Sequence, residues 1–192
     1  MTTDMGSLAG RLLIAMPNLA DPNFHRSVVL IGVHSADDGA FGLVVNRPTG
    51  VPLGAVLDEL GHKPGDDNLP EVLSGGPVET QQGFVLFENA VELIGDEVLA
   101  VEGGVAVSGS TEVLARLVEN PGAQSFYLVL GYSGWSPGQL EQEIEENSWL
   151  VAPLDPDLVF RVPLDERWNA ALRALGVDPG TLVDSGGSST PS

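Results

Sequence analysis

Four polar loops at the ends of apolar runs hold the residues best suited to chemistry: Pro22-Asn-Phe-His-Arg-Ser, Asn46-Arg-Pro-Thr-Gly, Ser74-Gly-Gly-Pro-Val and Gly131-Tyr-Ser-Gly-Trp-Ser-Pro-Gly-Gln-Leu-Glu. Glycine lets a backbone approach a ligand closely, and loop ends on a rigid scaffold are where sites form. A cleft between the Asn46-Arg47 loop and the Tyr132–Glu141 loop would make a binding site. There Arg47 meets an anionic group, Tyr132 and Trp135 supply contact area, and Gln139 adds polar specificity. Asn46 and the backbone N–H groups around Gly75 and Gly76 complete the ligand-binding set. The catalytic candidate is Glu141, a general base on water with Arg47 stabilising charge, which would make the protein a hydrolase. A module that binds a small anionic ligand or a protein partner without chemistry is the preferred reading.

Several other chemistries fail on residue type or order. There is no Cys, so disulfides, zinc-thiolate sites, iron–sulfur ligation and thiol nucleophiles are excluded. Gly131-Tyr-Ser133-Gly-Trp begins like a G-x-S-x-G nucleophile elbow, but Trp135 replaces the last glycine. All three histidines, His25, His34 and His62, precede Ser133, which rules out the elbow's usual chain order. Ser133 therefore reads as part of a tight turn feeding the next helix. The histidines and nearby acids lack a metal-ligand spacing, and neither GxxxxGK[ST] nor GxGxxG occurs. No cofactor and no metal are expected.

The 192 residues carry a formal net charge of −19. From Asp66 to Glu146 the sole base is Arg116, amid a long succession of acids. Nucleic-acid affinity draws on Lys and Arg replacing counterions at phosphates, so direct binding to nucleic acid or an anionic membrane is disfavoured. Leu12–Met16 is too short an apolar run for a secretory signal, and no stretch approaches the ~20 residues of a membrane span. The expected compartment is the cytoplasm.

The elements that must position these loops follow from hydrophobic spacing. Leu12–Ala15, Ser27–Val33 and 41–45 read as buried strands. Pro52 starts a helix with Leu53, Val56, Leu57 and Leu60 on one face, and Gly61 suits its left-handed cap. Short strands follow at 72–73, 83–87 and 92–94, then one over 98–107 that breaks at Gly103-Gly104. Ser110 or Thr111 caps a helix with Val113, Leu114, Leu117 and Val118 inward, stopped at Asn120-Pro-Gly. After a buried strand at 125–131, Ser136, Pro137 and Gln139 read as a capping box. In that helix Leu140 and Ile144 turn inward, Trp135 and Trp149 pack beneath, and Glu141, Glu143, Glu145 and Glu146 form a solvated face. A strand at 149–152 and a helix capped by Asp165, with Trp168, Ala171, Leu172 and Leu175 inward, complete a single α+β domain over 1–183. Several strand connections are too short for a crossover helix, which implies antiparallel pairs. Residues 184–192, rich in Ser, Gly and Pro, read as a disordered tail.

Together, Arg11-Leu-Leu-Ile-Ala-Met-Pro-Asn-Leu-Ala-Asp-Pro-Asn-Phe-His-Arg-Ser-Val-Val-Leu, Gly42-Leu-Val-Val-Asn-Arg-Pro-Thr-Gly, Gly75-Gly-Pro-Val, the Gly131–Glu141 segment and Asn147-Ser-Trp-Leu resemble the YqgE/AlgH family of bacterial proteins. The likeness runs in order from about Gly10 to Val177. It implies a mixed, largely antiparallel bifurcated sheet rolled into a pseudo-barrel with flanking helices. It also implies a cytoplasmic protein with no established enzyme activity or cofactor. Some members of the family carry a transcriptional-regulator label. This sequence shows no helix-turn-helix pattern, and its charge disfavours regulation by direct contact with DNA.

Overall fold

A computed structural model of the chain describes residues 7–64, 69–88, 98–101, 104–119 and 125–178. The strand expected at 92–94, the helix stop at 120–122 and the tail at 184–192 lie outside them.

Among the described residues nine strands form one sheet: β1 (Arg11–Ala15), β2 (Val28–Ser35), β3 (Gly39–Val44), β4 (Leu73–Ser74), β5 (Val78–Glu88), β6 (Val98–Val101), β7 (Val105–Ser108), β8 (Phe126–Trp135) and β9 (Trp149–Pro153). Their order is β6-β7-β5-β8-β3-β2-β1-β9, with β4 pairing β8 off this path. All described pairings are antiparallel except β4 with β8. The sheet curls into a half-barrel, an α+β fold.

The sheet bifurcates along β8. Its first half, Phe126–Leu130, pairs with β5. Its last residues, Ser133–Trp135, pair with β3. Gly131 stands between the two halves at φ 77°, a left-handed conformation that a side chain would oppose, and lets one strand serve both. This corrects the reading of 132–135 as a tight turn: β8 runs unbroken to Trp135, and Ser133 is a buried strand residue.

β1 and β2 are apolar on both faces because both faces are covered. Leu12, Ile14, Val28 and Leu30 join one core with Trp168, Ala171 and Leu172. Their alternates Leu13, Ala15, Val29 and Ile31 join a second with Trp135, Leu140 and Trp149. The two-residue side-chain period thus divides one strand between two cores. A third core lies where α1 (Leu53–Leu60) and α2 (Thr111–Glu119) cover β5, β7 and β8.

The helices refine the expected ends. Gly61 caps α1 at φ 76°, and the Ser110 hydroxyl accepts the Glu112 N–H at the start of α2. α3 spans Gln139–Glu145, two residues later than the capping box implied, behind a left-handed Gly138. Half of the box still forms, since Gln139 Oε1 accepts the Ser136 N–H at 3.0 Å. Asp165 lies within a 3-10 turn, Leu164–Glu166, rather than at a cap, and α5 spans Arg167–Ala174. Before it stands α4, Pro156–Phe160. Its signal was present in the sequence as Asp155 before Pro156, an N-cap with proline at the first helical position, and the Asp155 carboxylate accepts the Asp157 N–H at 3.0 Å. No helix among the described residues is long and apolar enough to cross a membrane.

Candidate functional site

The motif loops do converge, but chiefly as packed backbone. The Ser74 N–H donates to the Arg47 carbonyl, the Gly75 N–H to Leu130, and Val44 N–H to the Gly75 carbonyl. The Ser133 hydroxyl donates to that same Gly75 carbonyl at 3.0 Å. A Cβ on Gly75 would lie 2.4 Å from the Gly131 oxygen, and one on Gly76 2.2 Å from the Tyr132 oxygen. Glycine is required here for chain-to-chain contact. The N–H groups of Ser74 and Gly75 are occupied by carbonyls and are not open to an anion.

Asn46 and Arg47 hold neighbouring loops. Asn46 accepts the Val28 N–H and donates to the Arg26 carbonyl, each at 2.9 Å. Arg47 spreads its guanidinium over the carbonyls of Asn23 and His25. These two carbonyls flank Phe24, so Arg47 sets where Phe24 sits. Arg26, left-handed at φ 54°, lays its guanidinium 5.2 Å from the centre of the Trp168 ring.

The four loops therefore do not enclose one cleft. Tyr132 packs against Phe41 and Phe84 with ring centroids 5.2 and 6.0 Å apart. Glu141 does not meet Arg47: its carboxylate lies 3.0 Å from His34 Nε2, while His34 Nδ1 accepts the Leu8 N–H at 2.9 Å. An acceptor at Nδ1 makes Nε2 the protonated nitrogen, so a neutral His34 donates to Glu141. Glu141 thus ties α3 to β2, and it forms no ion pair with Arg47, whose guanidinium is taken by the Asn23 and His25 carbonyls.

Two of the depressions among the described residues are lined by expected site residues. One, of about 260 Å³, gathers Asp21, Phe24, Trp135, Gln139, Glu143 and Trp149. It unites two expected site residues, Trp135 and Gln139, with one read only as solvated. Glu143 is not a free surface acid: its Oε1 accepts both indole N–H groups, from Trp135 at 3.0 Å and Trp149 at 2.9 Å. Its Oε2 accepts the Gln139 amide at 2.9 Å. The signal in the sequence was two tryptophans flanking a glutamate-rich helix, since a buried indole N–H needs an acceptor.

The other, of about 650 Å³, is lined by Asn46, Pro48, Tyr127, Phe160, Arg161 and Arg167, together with the acids Glu71 and Asp165. Arg167 is 1% exposed. Its Nε donates to the Val162 carbonyl at 2.8 Å, and its terminal nitrogens donate to the Val45 carbonyl and the Tyr127 hydroxyl. Among the described residues no carboxylate pairs with it. Arg161, by contrast, is paired with Glu88 and Asp157. The hydrogen bond that Arg161 donates to the Glu88 carboxylate is the main cause that holds its guanidinium above its ordinary pKa. Sequence reasoning passed over Arg167 because an arginine opening an amphipathic helix is normally solvated.

The AlgH-like family model (DUF179) matches residues 12–180. A UPF0301 protein of Ralstonia nicotianae is 43% identical over 183 residues, covering 94% of this chain and 95% of that protein. The solution structure of the AlgH protein from Pseudomonas aeruginosa superposes with a TM-score of 0.73 at 38% identity, over 95% of this chain and 96% of that one. A crystal structure of a Corynebacterium diphtheriae protein gives a TM-score of 0.71 at 26% identity, over 91% and 90% of the two chains.

Proposed function

The chain belongs to the AlgH-like family, and we propose that it works in the cytoplasm as a non-catalytic binding module, a regulatory or adaptor component that takes a small anionic ligand. The observation that carries this reading is the buried Arg167 guanidinium beside the larger depression, satisfied only by neutral acceptors. A buried charge without an opposite charge costs several kcal/mol, and although Glu71 and Asp165 also line the depression, neither forms an ion pair with Arg167, so an anion there gains that pairing. The Tyr127 hydroxyl accepts from Arg167 and keeps its own proton to donate to such a ligand. Asn46, an expected ligand contact, lies on the same rim. Arg47 serves by positioning Phe24 rather than by meeting the ligand. With a net charge of −19, regulation runs through occupancy and partner proteins rather than through contact with DNA.

The test is thermal unfolding against mono- and dicarboxylates, phosphates and nucleotides at millimolar concentration. Each is compared with sodium chloride of matched ionic strength, because salt alone screens an acidic protein. A ligand of the folded state raises Tm by mass action. The expected result is a rise with at least one anion, smaller in Tyr127→Phe, whose circular dichroism should be unchanged. Shifts no larger than those of matched sodium chloride for every anion overturn the proposal.

A further inference from the structure

We propose that His34 is a pH-sensitive latch: when neutral it holds the segment Ser7–Gly10 against β2, and when protonated it lets that segment go. The proposal is independent of the anion reading, because neither His34 nor this segment lines the depression at Arg167.

The segment precedes β1 and lies along the end of β2. Three hydrogen bonds fasten it: the Leu8 N–H donates to His34 Nδ1 at 2.9 Å, the Ser7 hydroxyl to the His34 carbonyl at 3.3 Å, and the Gly10 N–H to the Ile31 carbonyl at 2.8 Å. Leu8, 5% exposed, enters the core that holds Leu13, Ile31 and Trp135. Gly10 is left-handed at φ 79°, a conformation glycine adopts freely, and there the chain turns into β1.

The His34 side chain is also 5% exposed, and both ring nitrogens are engaged. Nε2 donates to the Glu141 carboxylate at 3.0 Å, while Nδ1 offers the lone pair that Leu8 uses. A proton added to the neutral ring therefore goes to Nδ1. Two N–H groups then face each other where one bond stood, and the Leu8 N–H loses its acceptor on a buried residue. The Glu141 carboxylate meanwhile gains an imidazolium partner. One proton thus tightens α3 on β2 and loosens Ser7–Gly10.

Glu141 is the one charged group in an ion pair with His34 among the described residues. Ser7–Gly10 carries no titratable side chain, and β3 sets Ala40 opposite His34. In the β2–β3 turn Asp37 is exposed, and the Asp38 carboxylate accepts the Ser35 hydroxyl at 3.1 Å. On α3 the Glu143 carboxylate is held by the two indoles, and Glu145 and Glu146 are exposed. Arg11, which opens β1, is exposed as well. Because the segment bonds only the neutral ring, its docking is complete on the alkaline side and weakens as pH falls through the titration of His34.

The full chain, labelled with nitrogen-15, is followed by NMR from about pH 8 to about pH 5, the interval in which histidine titrates. Hydrogen exchange gives the protection of the Leu8 amide, corrected for the intrinsic pH dependence of exchange. His25 and His62 serve as controls in the same spectra. At the upper pH, His34 should carry its proton on Nε2 alone. Leu8 protection should fall about tenfold or more as Nδ1 takes a proton, while the amides of β1 and β8 keep theirs. His34→Asn, whose Oδ1 replaces Nδ1 as an acceptor without titrating, should keep Leu8 protection level throughout. Glu141→Gln retains the acceptor and removes the charge, so it should move the loss to lower pH; it carries the test if His34→Asn does not fold. The proposal is overturned by Leu8 protection that stays level while His34 takes its proton, or by a His34 that remains neutral to the acid limit. A loss shared by every amide, or one that persists in His34→Asn, overturns it equally.

Discussion

Glu143 and Gly75 show how much a single residue's role depends on what reaches it from elsewhere. Glu143 sits in a run of glutamates of which Glu145 and Glu146 face solvent, and the approach of two indole N–H groups makes it an anchor. Gly75 lies in a Gly-Gly-Pro stretch that reads as a flexible loop, yet its missing Cβ lets it press against β8. Gly75→Ala would place a methyl 2.4 Å from the Gly131 oxygen and 2.6 Å from Val129 Cγ1. Backbone cannot yield as a side-chain tip can, so the expected cost is about 3 kcal/mol, read from urea unfolding. Gly54→Ala is the control. It lies in α1 with nothing within 4 Å of the added atom, and should stabilise the protein by about 0.5 kcal/mol.

Among the elements, the irregular 17–26 segment depends on a clamp. Arg47 bonds the carbonyls on both sides of Phe24, while Phe24 packs on Trp135 and Trp149. Arg47→Ala should cost about 1 kcal/mol of global stability. It should speed amide hydrogen exchange selectively in 21–27, where the Phe24, His25 and Ser27 N–H groups close local turns. Arg47→Lys should rescue little, since an ammonium does not present the planar fork that spans two carbonyls. Exchange that is uniform across the protein would show that Arg47 does not act on this loop. Element existence was largely legible in the sequence, because apolar spacing and cap chemistry are local. Ends were less so: α3 starts late because the left-handed Gly138 intervenes, and β8 runs long because β3 offers its end a partner.

At the scale of the whole molecule the charge dominates. A net −19 on 192 residues makes the folded state self-repelling, and salt relieves this. Raising sodium chloride from about 10 to about 300 mM should raise Tm by roughly 3 °C, equivalent to about 1 kcal/mol for a chain of this size. A Tm that does not move would mean that the repulsion is already dissipated in the folded state.

Composition, charge, the strands with their apolar periods and the α+β class were set out by the sequence, as were the loops that carry polar groups. Each depends on residues close together in the chain or on a simple count. The way β8 divides between two halves of the sheet, the pairing of Arg11 with Pro153 along β1 and β9, and the sorting of Leu12 and Leu13 into different cores depend on contacts between distant segments. So do the site roles: Arg47 and Glu141, matched by residue type as partners in one cleft, instead hold separate loops. Asn46 borders one depression, Trp135 and Gln139 the other, and the charges that give each depression its character, Arg167 and Glu143, come from helices whose local pattern marks both residues as surface. A charged side chain on an amphipathic helix is assigned to solvent by its neighbours along the chain; whether it is buried is decided by the strand or loop that folds over it.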